Sequence, residues 1–353
     1  MSSALRKIIR ENERYRLAYE RARDSRNRVT SVYDVSTRCN MLCEGCLFFD
    51  RDGKHAGNGS KTDLTAFEQL FASEKKRGVN YPLFGGAEPS LEPEILELAA
   101  RYWKNGMVHT NGLRKINPEL PFRLFVSIWG GQELSQKWRG VDSYAKALQA
   151  ASDDPRAIIN YTVNAQNIED IHTVVRDCAE LGLTITFQVY SPTSDYNSYL
   201  SEGLSTNHKF IRSDNPEGNL VMTHSDDKRA ADVICEAIDE YPDTVIFTKA
   251  LTRWTFNRPG VFFDTVISDN GPTECLAAND PNHRHIEYSG QQETKKTCGH
   301  GAIECRTCRV YTAIYPGFLR SNMKQIQTRS GAIDFLETHE VFDTLYEGHN
   351  RTG

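Results

Sequence analysis

Apolar residues recur along the chain with two periods. Short β-branched and aromatic runs mark strands, and spacing of three to four residues marks helices. VTSVYDV (29–35), VNYPLF (79–84), MVHT (107–110), FRLFVSI (122–128), AIINYTV (157–163) and LTITFQVY (183–190) read as strands. Helix patterns at 63–77, 92–104, 143–152 and 168–182 separate most of them. The segment 63–77 opens with acid, closes with bases and is followed by Gly78. Its charges match a helix dipole, and the glycine stops it. Strands alternating with helices predict an α/β fold with a parallel sheet. The interval 111–121 is short for a crossover helix and is the exception.

Beyond about residue 192 the alternation fades. Residues 191–210 are polar and loop-like, 225–241 read as another helix, and 264–308 are rich in Asn, Gly, His and Cys. That last stretch has too few apolar residues for a core of its own, and a bound metal would keep it ordered.

The 353 residues carry 42 Lys+Arg against 47 Asp+Glu, a formal charge of −5, which argues against a general nucleic-acid binder. Residues 4–27 read as one charged helix. This N-terminal arm (1–28) has nine basic and four acidic residues, so it holds +5 and the rest −10. A solvated helix across the end of a barrel is the preferred reading, over an arm for an anionic partner. No apolar stretch reaches the length of a membrane span, and the N-terminus has no secretory apolar region. A cytoplasmic protein is expected.

Nine cysteines cannot all pair with one another, and they cluster. Clusters of this kind in a cytosolic chain more often hold metal than form disulfides. The first strand runs into STRCNMLCEGC, which spaces Cys39, Cys43 and Cys46 as C-x3-C-x2-C. Three close thiolates suit zinc or an iron–sulfur cluster. A closed zinc knuckle wants a fourth ligand, and His55 is nine residues away. Three ligands leave one iron of a four-iron cluster open.

This spacing directly after a first strand resembles the signature of the radical S-adenosylmethionine (SAM) enzymes. The company it keeps strengthens the resemblance. The second strand ends in Gly85, Gly86, Ala87, Glu88 and Pro89, similar to the family's GGEP segment, with alanine where glycine is usual. The third ends in Thr110, Asn111 and Gly112, and the fourth in VSIWG followed by KWRG. Ser127 and Arg139 match positions that meet the SAM carboxylate or ribose, and Asn164 and Gln188 close strands five and six. Gly45 stands where many members carry an aromatic. The resemblance covers roughly residues 29–192. It implies a partial (β/α)6 TIM-like barrel with its site at the strand C-termini. It also implies a [4Fe–4S] cluster on Cys39, Cys43 and Cys46, whose open iron chelates SAM. The implied SAM contacts are Gly85, Gly86, Ala87, Glu88, Thr110, Asn111, Ser127, Arg139, Asn164 and Gln188. A one-electron donor such as flavodoxin or ferredoxin is the implied partner.

The second cluster is Cys275, Cys298, Cys305 and Cys308, with Cys305 and Cys308 in a C-x2-C pair. The segment resembles both the twitch (short SPASM) subdomain and the hopanoid-adenosylating branch. Four cysteines suffice for one auxiliary [4Fe–4S] cluster. Structural zinc is the alternative, with His283, His285 or His300 able to replace a thiolate. Cys178 and Cys235 read as buried structural thiols. Three parts are expected: the arm at 1–28, the barrel at 29–200, and an irregular Cys-rich extension at 201–353.

The implied activity begins with reductive SAM cleavage and hydrogen abstraction from a small molecule or, less favoured, a peptide. Redox-assisted oxidation, epimerisation or rearrangement follows. Adenosyl transfer to an alkene is the alternative within the family, and a non-catalytic zinc or iron–sulfur scaffold the alternative outside it. Neither a leader-peptide domain nor a cobalamin domain is expected. Trp129, Tyr161, Gln188, Tyr190 and Trp254 are pocket-lining candidates without assigned roles, and Cys235 and Tyr190 are candidate hydrogen donors.

Overall fold

A computed structural model describes residues 2–49, 63–202, 218–268, 271–273, 275–287, 298, 303–321 and 325–348. His55 and His300 lie outside these residues. The helices are α1 (Ser3–Glu11), α2 (Glu13–Asp24), α3 (Leu64–Arg77), α4 (Pro93–Tyr102), α5 (Gln132–Arg139), α6 (Tyr144–Ser152) and α7 (Ile171–Glu180). They continue with α8 (Ser194–Glu202), α9 (His224–Glu240), α10 (Lys249–Phe256), α11 (Leu276–Asn279), α12 (Tyr311–Ser321) and α13 (Arg329–Glu347). The strands are β1 (Thr30–Asp34), β2 (Tyr81–Gly85), β3 (Met107–Thr110), β4 (Arg123–Ile128), β5 (Ala157–Val163), β6 (Ile185–Val189), β7 (Ile267–Ser268), β8 (Gly271–Pro272) and β9 (Arg284–Ile286).

The expected α/β architecture is present. Seven parallel strands form one sheet in the order β6-β5-β4-β3-β2-β1-β9. Each predicted strand is found within a few residues of its expected ends. The connection from β3 to β4 crosses without a helix, as its length required. The sheet's helix-facing side is the denser core. Tyr33 packs on Phe71, Phe84 and Trp103, and Phe84, Val108, Ile159, Tyr161 and Val163 are fully buried. Paired residues of neighbouring parallel strands share a face. The opposite, inner face therefore carries Val32, Asp34, Gly85, His109, Ser127 and Gln188.

Three expectations need correction. The arm is two helices, because Asn12 ends α1 in extended backbone and its side chain caps α2 at Tyr15. It is not merely solvated: Leu5, Ile8 and Ala18 pack with Ile326, Phe335 and Leu336. Arg14, Arg21 and Arg28 pair with Glu340, Asp343 and Glu347 of α13, which meets the arm's positive charge. The polar segment after residue 191 is not all loop. It forms α8, whose one buried side chain is Tyr196. The irregular extension contributes a strand, β9, beside β1.

Candidate functional site

The cysteine loop leaves the C-terminal end of β1, and the turn after β2 is strapped to it. Val35 N–H donates to Gly85 O at 3.1 Å, and Ala87 N–H to Ser36 O at 2.9 Å. Gly86 has a positive φ of 103° and lies against Ser36 O and the Asp34 backbone, so a side chain there would press on the chain leading to Cys39. Arg38 forks onto Glu92 and Leu91 O, which fixes the start of the loop.

The acid of this turn is held in place. Glu88 is 1% exposed. One of its oxygens accepts from Thr110 Oγ1 at 2.6 Å and from Ser90 N–H, and the other from Asn111 N–H at 2.8 Å. The Asn111 amide then reaches Asn40 at 2.6 Å and the Cys39 sulfur at 3.9 Å. Glu88, Thr110, Asn111 and Cys39 are thus one network across three strand ends.

Arg139 closes the other side. It is 3% exposed, donates to Ser127 O, and bears on Cys39 electrostatically. Its Nε is sealed from solvent without a hydrogen-bond partner. A buried cationic N–H left unpaired is costly. It suits a carboxylate arriving beside Cys39. Gln188 donates to Thr162 Oγ1 at 2.7 Å on the inner face. Asn164 is fully buried, and its amide is spent on the turn after β5, bonding Gln166 N–H and Thr162 O.

Two tyrosines from far along the chain latch the cysteine loop. Tyr190, just past β6, donates to Gly45 O at 3.1 Å, and Tyr196 of α8 donates to Glu44 Oε1 at 2.7 Å. Glu44 N–H donates to Trp138 O at 2.7 Å. The tyrosine rings meet edge-on at 5.9 Å, and Trp129 meets Tyr190 at 5.8 Å. Gly45 has a φ of 52°, and a methyl group there would collide with the Tyr190 hydroxyl. The departure at position 45 therefore has a local cause. The loop sequence contained no sign of these partners, which lie about 145–150 residues away.

Cys39, Cys43 and Cys46 are part-exposed. Burial and the neighbouring Cys43 push the Cys39 thiol up to about 12. Soft ligands and a buried guanidinium whose Nε has no partner fit a thiolate-bound cluster with an anionic co-ligand. Among the described residues no group of three or more His, Cys, Asp or Glu is placed to hold a metal ion as it stands.

The C-terminal cysteines do come together. Burial pushes Cys308 up to about 12, and Cys298, Cys275 and Cys305 all add to it. Cys275 is likewise raised by burial and by Cys305. The loop that carries Cys305 and Cys308 is tied to the barrel. Arg309 N–H donates to Ser191 at 3.0 Å, its guanidinium pairs with buried Asp227, and Ile303 bridges to Thr193. Val261 N–H donates to Cys308 O at 2.9 Å, and any side chain at Gly260 would strike Arg306. His283 and His285 are engaged elsewhere, because β9 lays them against Thr30 and Asp34 at 2.9 and 2.7 Å. Tyr161 turns to the helix side, donating to Asn167 O, and Trp254 packs on Phe318 and Arg258. Cys178 is fully buried on α7, and Cys235 is half-buried on α9.

No protein-family model matches the chain. A curated relative, Fe-coproporphyrin III synthase of Methanosarcina barkeri, is 28% identical over 159 residues, covering 40% of this chain and 39% of its own. The chain thus spans about two-fifths of that relative's length. Among solved structures, Streptococcus suis SuiB bound to S-adenosylmethionine superimposes at a TM-score of 0.51 with 14% identity, over 76% of this chain and 63% of SuiB. The anSMEcpe protein with bound AdoMet superimposes at 0.49 with 12% identity, over 87% of this chain and 99% of the other. No helix among the described residues is long and apolar enough to cross a membrane.

Proposed function

The chain has the radical SAM fold, with that superfamily's motifs in order, and from this premise we propose an enzyme that cleaves S-adenosylmethionine reductively and abstracts hydrogen from an organic substrate. The observation that carries the reading is that Cys39 lies near Cys43, buried Glu88 and Arg139, whose Nε has no hydrogen-bond partner. Cys39, Cys43 and Cys46 would hold a [4Fe–4S] cluster. Together with SAM, that cluster supplies one-electron cleavage of a carbon–sulfur bond and a hydrogen-abstracting carbon radical. Glu88 and the Gly85–Gly86–Ala87 backbone would take the SAM ammonium, and Arg139 its carboxylate. Ser127 and Gln188 face the substrate side of the same chamber. Thr110 and Asn111 hold the Glu88 side chain in place, and Asn164 shapes the turn after β5.

The four C-terminal thiols would hold an auxiliary [4Fe–4S] cluster. The support is the influence of Cys298, Cys275 and Cys305 on buried Cys308, and the ties of the Cys305–Cys308 loop to the β6 end through Ser191 and Thr193. An auxiliary cluster fits redox-assisted chemistry, with a one-electron donor protein as partner and a small molecule or peptide as substrate. The arm, barrel and extension would divide near residues 28 and 200.

The test is anaerobic reconstitution followed by iron, sulfide and zinc counts, then reaction with dithionite and SAM. About eight iron and eight sulfide with 5′-deoxyadenosine are expected. About four of each with one zinc would make the C-terminal site structural. Zinc alone, with no 5′-deoxyadenosine, would overturn the proposal.

A further inference from the structure

One titratable group of the inner face has no part in the cysteine site. His109 lies on β3 one residue beyond the paired Phe84 and Val108, so it continues the inner row through Gly85 and Asp34. The three positions stand on adjacent strands, with Gly85 in the middle. Asp34 and His109 are then about 10 Å apart, two strand spacings. Because the middle residue has no side chain, the space above it is open.

The walls of that space are polar. Asp34 binds His285 Nε2 at 2.7 Å through one oxygen, and its other oxygen lies 3.7 Å from where a Gly85 Cβ would be. That oxygen leans over the glycine. His109 meets Phe125 edge-on at 5.4 Å and hydrogen-bonds to none of the described residues. It is part-exposed although its strand neighbours Val108 and Thr110 are buried, so its exposure is to the interior of the sheet. Burial pushes its imidazole down to about 4, which keeps it neutral at physiological pH. Burial lowers the His285 imidazole, and the hydrogen bond and charge of Asp34 outweigh it and raise it overall. The space has hydrogen-bonding groups on two sides.

Building on the proposed function, we propose that Asp34–His285, Gly85 and His109 form a substrate slot for an uncharged carbon centre bearing a hydroxyl or amide N–H. The free Asp34 oxygen accepts from that group on one side, and His109 hydrogen-bonds it on the other. A carboxylate would face the Asp34 oxygen, and His285 is already committed to that residue. Buried polar groups that need a partner discriminate strongly against substrates unable to supply one.

The probes are carbon-deuterated glycerol and, as a charged counterpart of similar size, deuterated propionate. Each is given to the reconstituted holoenzyme with SAM and dithionite. The readout is the fraction of 5′-deoxyadenosine that carries deuterium. Glycerol is expected to label the product and propionate not. His109→Leu should cut the glycerol-derived fraction about fivefold, the value of one hydrogen bond. A second readout needs no turnover: carbethoxylation of His109 in SAM-loaded protein, followed by peptide mass. Glycerol should protect His109 and propionate should not. Equal labelling by both probes, no labelling by glycerol, or an unchanged fraction and no protection at His109 would overturn the slot. Absence of 5′-deoxyadenosine with every probe would overturn the radical reading itself, while protection of His109 could still be scored.

Discussion

The two cysteine sites are built on opposite plans. The first sits on a loop whose thiols are part-exposed and whose surroundings hold an unspent donor, the Arg139 Nε. Its neighbours are anchored from three strand ends and from α8. The second draws on four thiols in a segment with short elements, and two of them, Cys275 and Cys308, are buried. A site with three ligands and a waiting cation suits an exchangeable co-ligand. A site with four thiols, two of them buried, suits closure around a bound metal.

The sharpest way to break this contrast is Cys43→Ala. If the first site is the reactive one, 5′-deoxyadenosine formation falls at least about 100-fold, roughly 2.7 kcal/mol or more. The melting temperature should barely move, since Cys43 is part-exposed. The mirror variant, Cys308→Ala, should do the reverse. It removes a buried ligand of the closing site, and the melting temperature should fall by several degrees while SAM-dependent EPR signals of the first site persist. Equal stability loss in both variants would erase the distinction.

Arg139→Met tests what the first site leaves open. It keeps the buried bulk and removes the charge. SAM affinity should weaken about tenfold, near 1.4 kcal/mol, read by equilibrium binding to oxidised holoenzyme. Iron content should stay constant.

Alkali probes the second site. Cys308 is raised from its ordinary value to about 12, so the folded, metal-free protein favours the neutral thiol. The stability this gives is complete below pH 9, the unfolded value, and is lost as pH rises toward 12. Between pH 9 and 10 the loss approaches about 1 kcal/mol for this group. Urea midpoints of metal-free protein should drop accordingly, and loading the site with metal should abolish the drop because the thiol is then a bound thiolate.

The contrast also explains what could be seen in the sequence. Cys39, Cys43 and Cys46 sit within eight residues, and the turns at Gly85–Pro89 and Thr110–Gly112 follow strands whose β-branched runs are unmistakable. Local chemistry in local sequence is legible. The strand β9 was hidden because its three residues, Arg284–Ile286, sit in a segment of Asn and His without alternation. His285 on it and His283 just before it therefore passed for metal ligands rather than partners of Asp34 and Thr30. Helix α8 was hidden because one tyrosine is its whole buried face. The arm's basic residues found their acids on α13, more than 300 positions away. Pairings set by the end of the chain leave no trace near its start.

The smallest expected effect is the most specific to this chain. Tyr190→Phe removes the one hydroxyl that holds Gly45 O while keeping the ring against Trp129 and Tyr196. A hydrogen bond to a loop carbonyl is worth about 1 kcal/mol net. Packing survives, so the cluster should still assemble with full iron. The loop, however, loses its tie to the end of β6. If that tie sets the approach of SAM to the cysteine loop, SAM affinity should fall about fivefold, and the SAM-induced change in the EPR spectrum of the reduced protein should shrink or broaden. Tyr196→Phe should give a weaker version, since Glu44 is also held by its own N–H on Trp138 O. If Tyr190→Phe behaves as wild type in both binding and spectrum, the loop is held by the sulfurs alone. The two cysteine sites would then differ in ligand count and not in how the fold grips them.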